Sequence, residues 1–128
     1  MRQVFRVLRP GGVFVASDWL IGYDAAPSPK MAAYIAAEGL DFGMASPAQY
    51  EDAMRQAGLI AVRTVSRNVW YRDQARLELA RLQGNAGDQA ALLVGRDFVN
   101  HNIDIWARMI PVLDSGEHCP THLFGRKP

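Results

Sequence analysis

The segment Leu8-Arg9-Pro10-Gly11-Gly12-Val13-Phe14-Val15-Ala16-Ser17 constrains this chain more than any other. Proline does not continue a helix, and two successive glycines supply the backbone freedom of a tight turn. Ahead of the turn, Val4, Phe5, Val7 and Leu8 have the spacing of the last turn of an amphipathic helix whose earlier turns are missing. After it comes a nearly continuous apolar, β-prone run, the pattern of a strand buried on both faces. A helix turning at once into such a strand belongs to a layered α/β fold.

The rest of the chain continues the alternation. Residues 22–28 form a loop that ends at Ser28, an N-cap, with Pro29 at the first helical position. Met31, Tyr34, Ile35 and Glu38 share a helical face up to Gly39. Ser46, Pro47 and Gln49 spell a capping box, Tyr50, Ala53, Met54 and Ala57 form the stripe behind it, and Gly58 closes the helix. Residues 59–67 alternate as a strand with one wetter face. From Val69 to Leu113 the pattern is helical. Ala75, Leu79 and Leu82 mark a first helix, and Gly84-Asn85-Ala86-Gly87 a break. Asp88 is the cap of a second helix. Phe98, Ile105, Trp106, Met109 and Leu113 mark a third, which Pro111 ends or kinks. A turn at Asp114-Ser115-Gly116-Glu117 leads to a short terminal strand at His122-Leu123-Phe124-Gly125. Strands joined through helices imply a parallel sheet, with the last strand free to return antiparallel.

Composition narrows the function classes. Of 128 residues, 49% are hydrophobic and 21% charged, the balance of a folded domain rather than a disordered chain. The net charge of +1 gives no clustered excess of Lys and Arg for nucleic acid or an anionic membrane surface. No apolar run has the length of a membrane span, and the N-terminus lacks the features of a secretory leader. With Cys119 as the only cysteine an intrachain disulfide is impossible, which fits a reducing compartment. A soluble, cytoplasmic protein is expected.

The Leu8-Arg9-Pro10-Gly11-Gly12 turn and the Val13 to Trp19 strand resemble the turn and fifth strand of class I methyltransferases dependent on S-adenosylmethionine (SAM). Tyr50 to Leu59 is similar to the helix and "AG" step before their sixth strand. Beyond it, Arg67, Leu77-Glu78-Leu79, Trp106, Gly116-Glu117 and Leu123-Phe124 resemble the C-terminal half of phosphoethanolamine N-methyltransferases. The resemblance covers essentially the whole chain. It implies strands five, six and seven of a Rossmann-like sheet, with a helical insert at residues 69–113 between the last two. Residues 1–68 and 114–128 supply the sheet and its helices, so that 1–128 is a single partial domain.

The resemblance also implies what is missing. The family binds SAM with a glycine-rich loop between its first strand and the following helix, and with an acidic residue after its second strand. Gly11-Gly12 instead leads from helix to strand. SAM is therefore expected to be held mainly by a half absent from this chain. The tyrosine and histidine that act in catalysis in the phosphoethanolamine enzymes are also expected upstream, so no catalytic residue is assigned here.

Substrate-binding candidates follow from chemistry as well as resemblance, since aromatic faces and carboxylates attract a cationic amine. Trp19 ends the first strand, where open α/β sheets bind ligands and where the family has an aromatic residue; a core tryptophan is the competing reading. Glu38 and Leu40 occupy the positions at which the family carries an arginine and a tyrosine for phosphate. A carboxylate there repels phosphate, which disfavours the phosphobase and favours a plain ammonium; a solvated helix-end glutamate is the plainer alternative. Tyr34, one turn earlier, joins the pocket or the core. Tyr71, beside Trp70, opens the insert, which roofs the substrate site in the resembled enzymes, or else anchors it. Asp18 orients a ligand or caps the following loop. His118, Cys119 and His122 lack the fourth ligand of a closed zinc site, so no metal is assigned, and His101 is read as a helix histidine.

Three functions stay open. The first is the substrate-side half of an N-methyltransferase of small amines. A non-catalytic remnant or partner subunit acting through dimerisation is the second, and a small-molecule O-methyltransferase on the same scaffold the third. In the complete fold the first strand here is interior, so its unpaired edge at Val13-Phe14-Val15 predicts a homodimer or a chain supplying the N-terminal half.

Overall fold

The Pro10-Gly11-Gly12 turn carries the chain from α1 (Arg2–Val7) into β1 (Val13–Ile21). Gly11 sits at φ 76°, and a Cβ on Gly12 would lie 2.8 Å from the Arg9 carbonyl oxygen, so both positions require glycine. The computed structural model describes residues 1–39 and 43–128. The remaining elements are α2 (Pro29–Glu38), α3 (Pro47–Gln56), β2 (Ile60–Ser66), α4 (Asn68–Gln83), α5 (Asn85–Val94), α6 (Arg96–Asp114) and β3 (His118–Arg126).

The first unit comprises Met1–Ala25, Gly43–Asn68 and Cys119–Pro128 and holds the sheet, in the order β1-β3-β2. β3 is antiparallel to β2, with Thr64 opposite Leu123 and Ser66 opposite Thr121. The start of β1 is bonded to the end of β3, Gly11 N–H to the Lys127 carbonyl at 3.0 Å and Lys127 N–H to that of Gly12 at 2.9 Å. The central strand is therefore the last one, and it opposes both neighbours. Leu20, Met54, Leu59 and Leu123 form the core, flanked by Phe5, Leu8, Phe14 and Tyr50. The Lys127 ammonium donates to the carbonyls of Phe5 and Leu8, each at 2.9 Å, and so closes the C-terminal end of α1.

Three features depart from the sequence pattern here. β1 is not buried on both faces: Val13 and Val15 are 60% and 62% exposed, because no described element of the unit covers their side. β3 is longer than the His122–Gly125 segment and starts at His118. Pro120 lies just beyond the last β2 pair, so its missing N–H breaks no ladder bond, and its carbonyl accepts from Arg67 N–H at 2.7 Å. In β2 a bulge between Ile60 and Arg63, with Ala61 at φ 51°, interrupts the alternation.

The second unit comprises Ala26–Phe42 and Val69–His118, so α2 clusters with the helices that follow residue 69. Met31 and Tyr34 on α2 are buried, as are Ala75 on α4 and Val99, Ile105, Met109, Val112 and Leu113 on α6. Phe98, which the spacing puts in the apolar stripe, is 57% exposed. α6 runs through Pro111 to Asp114, since one lost hydrogen bond in the final turn does not stop a well-buried helix. Asp114 then receives Arg72 Nε at 3.1 Å and an Arg76 guanidinium nitrogen at 2.7 Å, which hold its carboxyl below the usual aspartate range.

The break before α5 is a single residue. Asn85, Ala86 and Gly87 are helical, and Asp88 lies in the first turn rather than at the cap, which is Gly84. The reason is Gly87: a Cβ there would come within 1.8 Å of the Leu82 carbonyl oxygen. Replacing Gly87 with alanine forces the end of α4 away from α5. A loss of about 2 kcal/mol is expected, as for overpacking at other tight sites. Thermal unfolding checks it, and a midpoint unchanged within about a degree would contradict this account of the junction.

Candidate functional site

In the first unit the C-terminal end of β1 is organised by Asp18. One carboxylate oxygen accepts the Trp19 backbone N–H at 2.8 Å, and the other accepts the Tyr50 hydroxyl from α3 in a short bond. Trp19 is half-buried, and Ile21 N–H donates to the Ala45 carbonyl at 3.1 Å. The capping box places α3: Ser46 Oγ accepts from Gln49 N–H, and the Gln49 side chain accepts from Ser46 N–H. Tyr50 thus projects towards the strand end. A cleft of about 340 Å³, lined by Met1, Ala45, Gln49, Tyr50 and Ala53, opens beside it. The Asp18 hydrogen bond, helped by partial burial, pushes the Tyr50 phenol up to about 12.

In the second unit the chemistry gathers on α2. Tyr34 is fully buried, and its hydroxyl donates to Glu38 Oε1 at 2.9 Å, one helical turn on. Burial, reinforced by that bond and the adjacent charge, raises the Tyr34 phenol far above its ordinary range. The buried His118 ring lies 5.3 Å from that of Tyr34. At the other end of the helix, Glu117 holds the N-cap with both oxygens. Ser28 N–H donates to Oε1 at 2.7 Å and Ser28 Oγ–H to Oε2 at 2.6 Å, while Ser28 Oγ accepts Met31 N–H at 3.2 Å. The segment 117–118 therefore touches α2 at its start and at its middle.

Of the four substrate-binding candidates, the structure joins Tyr34 and Glu38 directly. Glu38 is half-buried, with one oxygen held by the phenol. Tyr71 is half-buried at the start of α4 and meets Trp70 edge to face, ring centroids 4.8 Å apart; Trp70 is 47% exposed. Trp19 belongs to the first unit. Leu40 lies outside the described residues. Two contacts escape sequence reasoning, Tyr50 with Asp18 and Glu117 with Ser28. Their partners are 32 and 89 positions apart, and no local spacing reports such pairs. Cys119 Sγ sits 3.6 Å from the hydroxyls of Ser66 and Thr121. Among the described residues no group of three or more His, Cys, Asp or Glu is placed to hold a metal ion, and no helix is long and apolar enough to cross a membrane.

No protein-family model and no curated protein matches this chain. Solved structures do. Haemonchus contortus phosphoethanolamine N-methyltransferase 2, determined with phosphomonomethylethanolamine and S-adenosylhomocysteine, superposes on 99% of this chain with a TM-score of 0.80 at 16% identity. A Galdieria sulphuraria protein named as a candidate sarcosine dimethylglycine methyltransferase covers 98%, with a TM-score of 0.83 and 21% identity. A cyclopropane synthase from Mycobacterium tuberculosis covers 98%, at 0.82 and 12%. The fold is that of the SAM-dependent methyltransferases. This chain spans 29%, 45% and 48% of those three proteins' lengths, respectively.

At the Gly11-Gly12 turn the Gly11 N–H is spent on the Lys127 carbonyl and the Gly12 N–H on that of Arg9, so this turn does not present a free glycine-rich loop to a ligand. No step of chemistry is therefore assigned to this chain through the cofactor.

Two measurements test the site geometry. The folded-state value of Tyr50 lies above the ordinary 10.0, so its neutral form stabilises the protein fully below that pH, and the contribution vanishes as pH rises through about 12. Denaturant unfolding of wild type and Tyr50→Phe should differ at neutral pH and converge as pH rises through that window; a constant gap would refute the Asp18 bond. Glu117→Ala strips both acceptors from the α2 cap. A loss of about 1–3 kcal/mol is expected, with faster amide exchange at Ser28 and Met31 and partial recovery in Glu117→Gln. Unaltered exchange at Ser28 would show that Glu117 does not hold the helix.

Proposed function

We propose that this chain is the substrate-side half of a SAM-dependent methyltransferase of small amines, completed by a second half that binds the cofactor. The observation that carries the reading is the superposition of 98–99% of the chain on methyltransferases, two of them named for N-methylation of amino compounds or for sarcosine and dimethylglycine. The exposed outer side of β1, with Val13 and Val15, supports a further half seated there. So does the placement of β1 at the edge of the described sheet, a position that can take a further strand.

Within this half, Glu38 is the residue assigned to the amine. Its carboxylate draws an alkylammonium to the site by charge, and Tyr34 holds one of its oxygens from beneath. Tyr71 is proposed as a substrate-binding aromatic residue of the second unit and Trp19 as one of the first, each with cation–π attraction as its contribution. A carboxylate rather than an arginine disfavours a phosphorylated substrate, and it gives an ammonium an attraction that a neutral hydroxyl does not share. The chain is proposed to act in the cytoplasm.

A second reading is favoured by the same edge position of β1: a non-catalytic subunit that works by pairing with another copy or with an intact relative. A coding sequence for a glycine-rich SAM-binding half directly upstream favours the enzyme reading.

Calorimetric titration of SAM into this chain alone should give no binding heat, and micromolar affinity would overturn the assignment of halves. Co-expression with the cofactor half should restore methyl transfer in a screen over small amines. In that complex Glu38→Gln is expected to lower kcat/KM for cationic amines about tenfold or more, through the loss of a charge-assisted contact. Full activity in Glu38→Gln would remove Glu38 from the site.

A further inference from the structure

Helix α2 ends with its charge the wrong way round. The C-terminal end of a helix carries partial negative charge and favours a cation, yet the last turn of α2 holds Glu38 and no basic residue. Gly39 then closes the helix at φ 68°. No lysine or arginine occurs between Lys30 and Arg55, and among the described residues no ion pair reaches Glu38. Among those residues the one donor to its carboxylate is the Tyr34 hydroxyl, at 2.9 Å on Oε1. A half-buried anion at the negative end of a helix is thus left without a lysine or arginine counter-charge.

We propose that Glu38 selects its amine by N–H bonds, taking primary, secondary and tertiary ammonium ions and disfavouring quaternary ones. The inference rests on the assignment of Glu38 to the amine and adds the class of amine to it. An ionised carboxylate only accepts hydrogen bonds, and Tyr34 uses one of the two oxygens. An ammonium N–H donates to such an acceptor in a short, charge-assisted bond. A quaternary nitrogen is sheathed in carbon and has no proton to give, so the charges stay further apart and only a weaker Coulomb attraction remains. Proteins that retain quaternary ammonium ions do so with aromatic faces. The aromatic ring of α2 offers none, because Tyr34 is fully buried with its ring 5.3 Å from that of His118. Cation–π attraction at Tyr71 acts on the charge and does not count N–H bonds, so the discrimination falls to Glu38. A tertiary ammonium is therefore held, whereas the fully substituted ion, which can take no further methyl group, is let go.

Titration of the full chain with methylammonium, dimethylammonium, trimethylammonium and tetramethylammonium chlorides tests this, read by amide NMR shifts of Glu38 and Gly39 at constant ionic strength. Dissociation constants on the order of 10 mM are expected for the first three, and tetramethylammonium should bind about fivefold more weakly than trimethylammonium, or worse. In Glu38→Gln that gap should shrink to less than about twofold, since the charge-assisted bond is lost. Glutamine keeps an acceptor for the Tyr34 hydroxyl, so the variant should fold as wild type by circular dichroism. If it does not, the wild-type gap at the two amides decides alone. Tetramethylammonium bound as tightly as trimethylammonium, with both weakened in Glu38→Gln, overturns selection by N–H bonds and leaves the assignment of Glu38 to the amine standing. A gap that persists undiminished in Glu38→Gln overturns it as well. The absence of any shift at Glu38 and Gly39 with all four ions overturns both.

Discussion

The first unit depends on a join between the two ends of the chain. The hydrogen bonds of Gly11 and Gly12 to Lys127 zip the opening turn to the last strand, and the Lys127 side chain secures α1 to the same place. The last strand is central, so the sheet is complete only when the residues furthest along the chain arrive. That explains why the turn needs two glycines. One adopts a left-handed φ and the other lets the Arg9 carbonyl approach. Leu123 of that last strand joins Leu20, Met54 and Leu59 in the core.

Much of the fold is legible in local chemistry. The Ser-Pro starts of α2 and α3 and the capping box at Ser46 stand where the residues imply. Their signal lies within a few positions of the chain, and capping is a local interaction. The antiparallel return of the last strand and its helical insert also agree with the pattern. What fails to show is set by packing at a distance. The terminal strand read at His122 begins at His118, with Pro120 just past the last pair with β2, and Gly84 to Gly87 look like a loop until Gly87 meets Leu82. Phe98 has the period of a core residue and nothing over it. The continuous apolar run of β1 is written for two buried faces, yet the outer side, with Val13 and Val15, is open.

The site was legible to a lesser degree. Sequence spacing suggests that Tyr34 and Glu38 share a face, and they are hydrogen-bonded. It does not reveal that Glu117 grips Ser28, although a Gly-Glu turn and a Ser-Pro cap are each recognisable alone. Nor does it reveal that Asp18 is engaged on both oxygens, by its neighbour's amide and by Tyr50. An alternating or helical period tells which residues face inward, but it is silent on which inward-facing polar groups meet.

The Tyr34–Glu38 bond has an evolutionary implication. The phenol is wholly enclosed and its hydroxyl relies on that carboxylate, so the acid at position 38 answers to the interior as well as to whatever approaches from outside. Exchanging it for a basic residue would strand a donor in an apolar surrounding while reversing the local charge. A lineage seeking a different preference at this point has to change the aromatic residue beneath it in the same step, which makes recognition and folding inherit one another's mutations.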